Sequence, residues 1–443
     1  MSTPSAGGRA RRVAVVGAGA AGLTAALRAA ESGAQVALLN AHPRIGLKIL
    51  MSGGTRCNVT HREVDARDYN GGSRPFVARI LRAFTPAETI EWMQSLGVEL
   101  KLEETGKYFP VTDDAETVLD GLLSAVGAAG VDVQYGARVV RLERGSSSWR
   151  LGIQRVADSA AFGAGVSAVG ETRWPLPQVE VAEWIEADAV ILASGGLSFP
   201  RTGSDGTGYA LAMSLGHTLV PPVPALTPLA SSDSLCREAQ GITLDAELTL
   251  WVDGRRDLST RGSLLIAHFG FSGPVALDLS RHWLRADGKE RRVRASFVPS
   301  MNAESFEALW LETGKTDPRL SVRRFLGRHV PDRVAVALLN EAGIDPAQSI
   351  SQLRREHRAR AISEITARDL GISGTLGYEK AEATAGGITL SEVDPSTLES
   401  RKAPGVFLCG EMLDVDGRLG GFNFQWAWSS GTVAGRSAGA VVS

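Results

Sequence analysis

A β-branched run from Arg12 to Val16 enters the glycine turn Gly17, Gly19, Gly22. A second apolar run, Ala187 to Ala193, ends in Ser194-Gly195-Gly196, and a third, Gly405 to Cys409, lies near the C-terminus. Together they predict an α/β fold, with a discontinuous Rossmann-type domain built from both ends of the chain and other material inserted between. The 443 residues exceed the ~250–300 at which one core usually stops growing, so more than one structural unit is expected.

Leu23, Ala26, Leu27 and Ala30 follow the glycine turn at i, i+3, i+4 and i+7, the spacing of a helix that buries one face. Gly33 can end that helix in a left-handed conformation, and Gln35 to Leu39 then reads as the next strand of a parallel βαβ unit. Residues 40–75 show little periodicity but much Gly, Ser, Thr and Asn, the mark of a functional loop. Helices are expected near 75–97 and 114–130. Strands should follow from 131 to 186, interrupted by DSAAFGAGVSAVGE as an exposed hairpin loop. The prolines from Pro221 to Pro228 signal a change of layer, after which 241–298 reads as a separate β-rich sheet or barrel. Residues 302–368 look helical and arginine-rich, and from 384 the chain returns to glycine turns, a strand and a final helix. The expected division is therefore a Rossmann-type domain at 1–214 and 370–443, a β-rich insert at 215–300, and a helical subdomain at 301–369.

A net charge of -2 gives no global field toward nucleic acid or an anionic membrane. The three cysteines, Cys57, Cys236 and Cys409, are too scattered for a zinc pair or a disulfide framework, so reduced thiols, no metal and a cytoplasmic setting are expected. Residues 13–30 imitate an apolar signal segment, but their glycine spacing marks a nucleotide turn. No other stretch approaches the ~18 apolar residues of a membrane span, so a soluble protein with no membrane partner is expected. Residues 1–10 read as a frayed polar tail.

Gly17, Gly19 and Gly22, with Ala20 and Ala21 between them, spell GxGxxG where a strand meets a helix. Glycines there allow a tight turn and close approach of a pyrophosphate to the helix N-terminus. Asn40 stands where an acid usually ends the second strand and holds the adenosine ribose. Its amide can still hydrogen-bond a hydroxyl, without charge assistance; otherwise it starts a turn. Ser194 and Gly195 at one strand end, with Gly410 and Glu411 at another, favour FAD over NAD as the resident dinucleotide. Glu411 resembles the acid that ends a strand in two-dinucleotide-binding flavoproteins and meets the ribityl hydroxyls there; otherwise it is a solvated loop acid. A second GxGxxA at Gly163, Gly165 and Ala168 is rejected, because no β-branched strand precedes it and Pro175 leaves no room for a crossover helix. Without a second nucleotide domain, the redox partner would be a visitor: NAD(P)H as a transient donor, a quinone or oxygen.

The segments GLKILMSGGTRCNVT, ILASGGLSFPRTGSDGTGYALAMSLGH, HFGFSGP, AGGI and GEMLDVDGRLGGFNFQWAWSSG occur in order across nearly the whole chain. They resemble the BaiN-like flavoproteins, a bacterial family that includes proteins labelled aminoacetone oxidase and NAD(P)/FAD-dependent oxidoreductase. The resemblance implies a discontinuous FAD domain with a β-barrel insert that contains a helical segment. Thr55 stands where many members have glycine and His61 where many have asparagine, which sets a divergent subgroup apart.

In flavoproteins of this class the loop after the second strand lines the isoalloxazine ring. Gly53 and Gly54 would let backbone approach it, while Lys48, Ser52 and Asn58 donate hydrogen bonds to ring or phosphate. Arg56 would meet either a substrate carboxylate or the flavin, in a catalytic role, or an internal acid. Cys57 has no CxxC partner and reads as a packing thiol. Gly421, Phe422 and Asn423 open the last helix, whose N-terminus can face the flavin's N1–C2=O edge, where its partial charge stabilises the reduced anion. Trp426 and Trp428 read as core. His268 is the side chain best suited to proton transfer, against a structural role at the insert boundary.

The leading expectation is thus an FAD-dependent oxidoreductase acting on a small molecule by hydride transfer to or from flavin N5. The rivals are an RNA-associated flavoprotein, suggested by ten arginines against five acids between Arg319 and Arg368, and a redox sensor without turnover. The arginine run lacks interleaved aromatics for base stacking, so nucleic acid is the lesser expectation.

Overall fold

The computed structural model describes residues 9–157 and 179–440. The tail at 1–8, the expected hairpin loop at 158–171 and the rejected glycine motif at 163–168 lie outside the described residues. The chain divides into two compact units, one of residues 1–223 with 382–443 and one of Pro224–Ala381.

The first unit is centred on a five-stranded parallel sheet in the order Val406–Leu408, Ala189–Leu192, Arg12–Val16, Gln35–Asn40, Asp132–Tyr135. Its middle strands read as unbroken apolar runs because both faces are covered; Val13 to Val15 and Ala189 to Leu192 are fully buried. The expected helix at 75–97 is two helices, Arg74–Ala83 and Pro86–Ser95. Pro86 cannot donate to the preceding turn and would crowd it, so the first helix stops. Thr85 and Glu88 then form a capping box that starts the second.

A seam of small residues joins the first helix, Ala20–Glu31, to the last, Phe422–Gly439. A Cβ added at Gly431, Gly435 or Gly439 would lie 2.6, 2.4 or 2.7 Å from the carbonyl oxygens of Ala21, Ala25 and Ala29. Glycine every fourth residue therefore lets two backbones touch where any side chain would part them.

The second unit contains a seven-stranded antiparallel sheet that runs from Arg368–Asp369 at one edge to Ile372–Thr375 at the other. Only two residues link these edge strands, whereas seven flat strands would set them roughly 29 Å apart. The sheet must therefore curl nearly closed, which gives the insert a barrel form. A helix, Pro274–Arg285, interrupts the run at 241–298 that sequence pattern read as all β. Gly273, at φ +84°, and Pro274 start it rather than mark a loop, and Val275, Leu279 and Trp283 give it a buried stripe. Helices Ala303–Thr316, Val322–Leu326, Asp332–Glu341 and Arg355–Ala367 complete this unit's core.

The unit boundaries at 224 and 381 fall later than the 215 and 369 expected. His217 and Thr218 hydrogen-bond Glu392 and Ser400 within the first unit, and Ile372–Thr375 pairs with Leu229–Ser231 within the second. No described helix is long and apolar enough to cross a membrane.

Candidate flavin site

The glycine turn has the shape that dinucleotide binding requires. Gly17, at φ +103°, lies so close to the second strand end that an added Cβ would sit 2.6 Å from the Ala193 oxygen; at Gly22 it would sit 1.8 Å from the Gly17 oxygen. Gly19 differs, because its Cβ would meet nothing within 4 Å. It caps the helix in an extended conformation with no side-chain acceptor, which leaves first-turn N–H groups without a capping side chain.

The end of strand Val406–Leu408 also meets this turn. Gly410, at φ +69°, packs against Ala21 while Ser430 accepts its N–H and Trp426 donates to its carbonyl. Glu411 follows directly. Its carboxylate accepts from Lys48 Nζ at 2.6 Å, Ser198 Oγ at 2.9 Å and the Thr384 N–H at 2.6 Å. Lys48 Nζ also donates to Ser198 Oγ at 2.7 Å, and Thr384 Oγ1 accepts from the N–H groups of Leu197 and Ser198. Gly195, at φ +76°, borders this cluster, 3.8 Å from Glu411 Oε2 by its added Cβ, whereas Ser194 Oγ points to Met412 Sδ at 3.2 Å. Ser198 and Thr384 were not singled out as site residues. Both lie in or beside sequence segments that carried the family resemblance, the one signal that could have found them.

Asn40, expected at the ribose, gives its amide N–H groups to the carbonyls of His42 and Arg44 and accepts from the Ala18 N–H. It shapes the bend after the second strand, and only a remaining carbonyl lone pair is left for a hydroxyl.

The loop after Ser52, whose Oγ donates to the Ile49 carbonyl, holds four left-handed residues: Gly53, Gly54, Thr55 and Cys57. For Thr55 this is strained, since its branched Cβ at φ +69° crowds the following carbonyl. Thr55→Gly is expected to stabilise the protein by about 0.5–1 kcal/mol, the relieved strain being partly offset by glycine's greater freedom when unfolded; thermal denaturation would show the rise. Arg56 pairs with Glu103 at 2.7 Å and Asp113 at 3.4 Å and lies 4.0 Å over the Phe109 ring. Of its two expected roles, the internal ion pair is the one the structure displays.

Burial pushes the Cys57 and Cys409 thiols up to about 12 and Cys236 up to about 11. Thiolate is thus scarce at pH 8, and a thiol-exchange reagent is expected to label all three only after denaturation.

The start of the last helix is locked from several sides. Asn58 donates to the Thr60 carbonyl at 3.1 Å and accepts from the Gly421 N–H at 3.0 Å. Asn423 brackets Gly417 with two hydrogen bonds, and Tyr69 donates to the Phe422 carbonyl. The buried Phe422 ring stacks on His61, with centroids 5.0 Å apart. Gln425, missed by sequence reasoning, accepts from Thr60 and Thr89 and donates to Ser429 and the Phe84 carbonyl. All four of its hydrogen-bonding positions are filled in a buried setting, which fixes the helix in register. Trp426 and Trp428 are core residues whose indoles donate to backbone.

His268 belongs to the other unit. It is exposed in the tight turn between strands Arg255–Ala267 and Gly270–Ser272, edge-on to Phe269.

A parallel sheet, a glycine turn ahead of an uncapped helix and a second strand end that supplies Glu411 define an FAD-dependent oxidoreductase. The family model described as HI0933-like protein Rossmann domain matches residues 11–176 and 166–437, and the chain belongs to that family. It is 36% identical to a 3-dehydro-bile acid delta(4,6)-reductase of Clostridium scindens, covering 96% of this chain and 98% of the relative. It is 30% identical to a ribosomal RNA dihydrouridine synthase of Escherichia coli, covering 94% and 95%. A solved 3-ketosteroid-delta4-(5alpha)-dehydrogenase of Rhodococcus jostii aligns at 16% identity over 99% of this chain and 98% of that one, with a TM-score of 0.47.

Proposed function

We propose that this flavoenzyme reduces a carbon–carbon double bond conjugated to a carbonyl group in a small molecule, with NAD(P)H as the transient electron donor. The observation that carries this reading is the chemistry common to the two relatives' names. One denotes saturation of bonds conjugated to a 3-ketone; the other denotes saturation of the uracil 5,6 bond, conjugated to its 4-carbonyl. Bound FAD would supply the hydride for the carbon β to the carbonyl, and a proton from solvent at the α carbon would complete the addition.

The residues of the chain account for holding and orienting the cofactor. The turn at Gly17 to Gly22 and the N–H groups behind it receive the pyrophosphate. Glu411 is held by Lys48, Ser198 and Thr384 as an acceptor for ribityl hydroxyls. The partial positive charge at Gly421, Phe422 and Asn423, on a helix end locked by Asn58 and Gln425, would favour negative charge on a flavin held there.

The test is anaerobic bleaching of the flavin band near 450 nm by NADPH or NADH, followed by mixing with a 4-ene or 4,6-diene 3-ketosteroid. Return of the yellow colour with one saturated product per flavin is expected. Bleached enzyme that no conjugated carbonyl compound reoxidises would overturn the reading. A second reading places the same reduction on a uracil in RNA, favoured by the exposed Arg354, Arg355 and Arg360 around the start of helix Arg355–Ala367. Reoxidation by a ribosomal RNA transcript, lost steeply as salt rises, would select it.

A further inference from the structure

A cleft of about 750 Å3 opens beside the start of the last helix, lined among others by His61, Arg62, Arg67, Asp68, Thr85 and Arg418. Two of its lining residues meet Phe422 at the start of the last helix: the His61 ring stacks on it, and the Arg418 guanidinium lies 4.1 Å from its ring centre. Its wall is the short helix Ala66–Asp68, where Asp65 and Asp68 form a capping box.

The charges in this cleft balance in number but not in availability. Asp65 Oδ1 accepts from the Arg67 N–H and Nε, and Asp68 accepts from the Asp65 N–H through Oδ2 and from Arg418 Nε through Oδ1. Arg62 meets Glu63 at 3.9 Å, again through Nε. Arg67 and Arg418 thus hydrogen-bond acids by Nε, Arg62 only lies near one, and no acceptor among the described residues takes the Nη groups of the three. A guanidinium held by Nε still presents two Nη donors in a fixed plane, the geometry that receives both oxygens of a carboxylate or phosphate. Arg418 is the best oriented, held by Asp68 on one side and the Phe422 face on the other.

Resting on the reading of the protein as a reductase of conjugated carbonyl compounds, we propose that this cleft binds an oxyanion of the substrate, with Arg418 as the principal contact and Arg62 and Arg67 as supports. A carboxylate on a small molecule and a phosphodiester share the chemistry, and so do the phosphates of a nicotinamide donor; the substrate is the source the position beside Phe422 favours.

The experiment compares wild type with Arg418→Leu and with the exposed-site double variant Arg62→Leu/Arg67→Leu, each checked for FAD content. The substrates are a steroid enone carrying a side-chain carboxylate and its methyl ester. Loss of a charge-assisted pair predicts a KM for the acid that rises roughly 10- to 100-fold in Arg418→Leu, with kcat changing far less and the ester little affected. If instead only the NADPH concentration needed to bleach the flavin rises, the oxyanion is the donor's and the assignment to substrate fails. Equal kinetics for acid and ester in all three proteins would overturn the site altogether. Inorganic pyrophosphate and a saturated bile acid, titrated calorimetrically without turnover, separate this result from the reductase reading. Arginine-dependent binding of either by an enzyme that reduces no enone would keep the cleft and discard the activity.

Discussion

Gly22→Val yields a folded, colourless protein. The added Cβ alone would sit 1.8 Å from the Gly17 carbonyl oxygen and 3.4 Å from Ala193 Cβ, and valine adds two methyl groups to that overlap. The turn can relieve it only by moving Gly17 away from the first helix. The N–H groups of Ala20 and Ala21 then no longer share a focus with Gly19, and the pyrophosphate loses its converging donors. Absorbance near 450 nm after purification is expected to fall to background and not to return on incubation with FAD. A yellow Gly22→Val protein would mean that the cofactor is held elsewhere.

Gly435→Leu carries the second large effect, this time on stability. Its Cβ would lie 2.4 Å from the Ala25 carbonyl oxygen and 2.9 Å from Ala25 Cα, both on the backbone of a helix that cannot yield locally. The two helices must separate along the seam, which costs packing over several turns as well as the direct overlap. A loss of about 3–5 kcal/mol is expected, seen as a Tm lower by roughly 5–8 °C for a unit of this size. A change within 2 °C would show that the helices do not meet through this face.

The parts of the fold that obey local rules were legible in the sequence. The first strand, turn and helix could be read because glycine spacing, β-branching and the i, i+3, i+4 pattern agree at Val13 to Ala30. The helix Pro274–Arg285 was hidden because Gly-Pro ordinarily signals a turn, and nothing local says whether a turn or a helix follows. Sequence singled out the glycines and Glu411 that the fold brings near one another, but not the side-chain pairing around them. Lys48 reaches Glu411 across 363 residues, Ser198 across 213 and Thr384 across 27. Such partners are set by the order of strands in the sheet, which spacing along the chain does not encode. Asn40 and Arg56 show the converse: their residue types suit a ligand, yet both amide N–H groups of Asn40 go to backbone carbonyls and Arg56 turns its Nη1 to Glu103 and Asp113.

The small-residue seam between the first and last helices also bears on how the enzyme is made. Synthesis runs from the N-terminus, so the glycine turn and its helix leave the ribosome some 400 residues before the face that covers Ala21, Ala25 and Ala29. Until then the edge strand Val406–Leu408 and the last helix are missing, and strand Ala189–Leu192 and the small-residue face of the first helix lack their partners. Closure of this seam is therefore among the last steps of folding during synthesis.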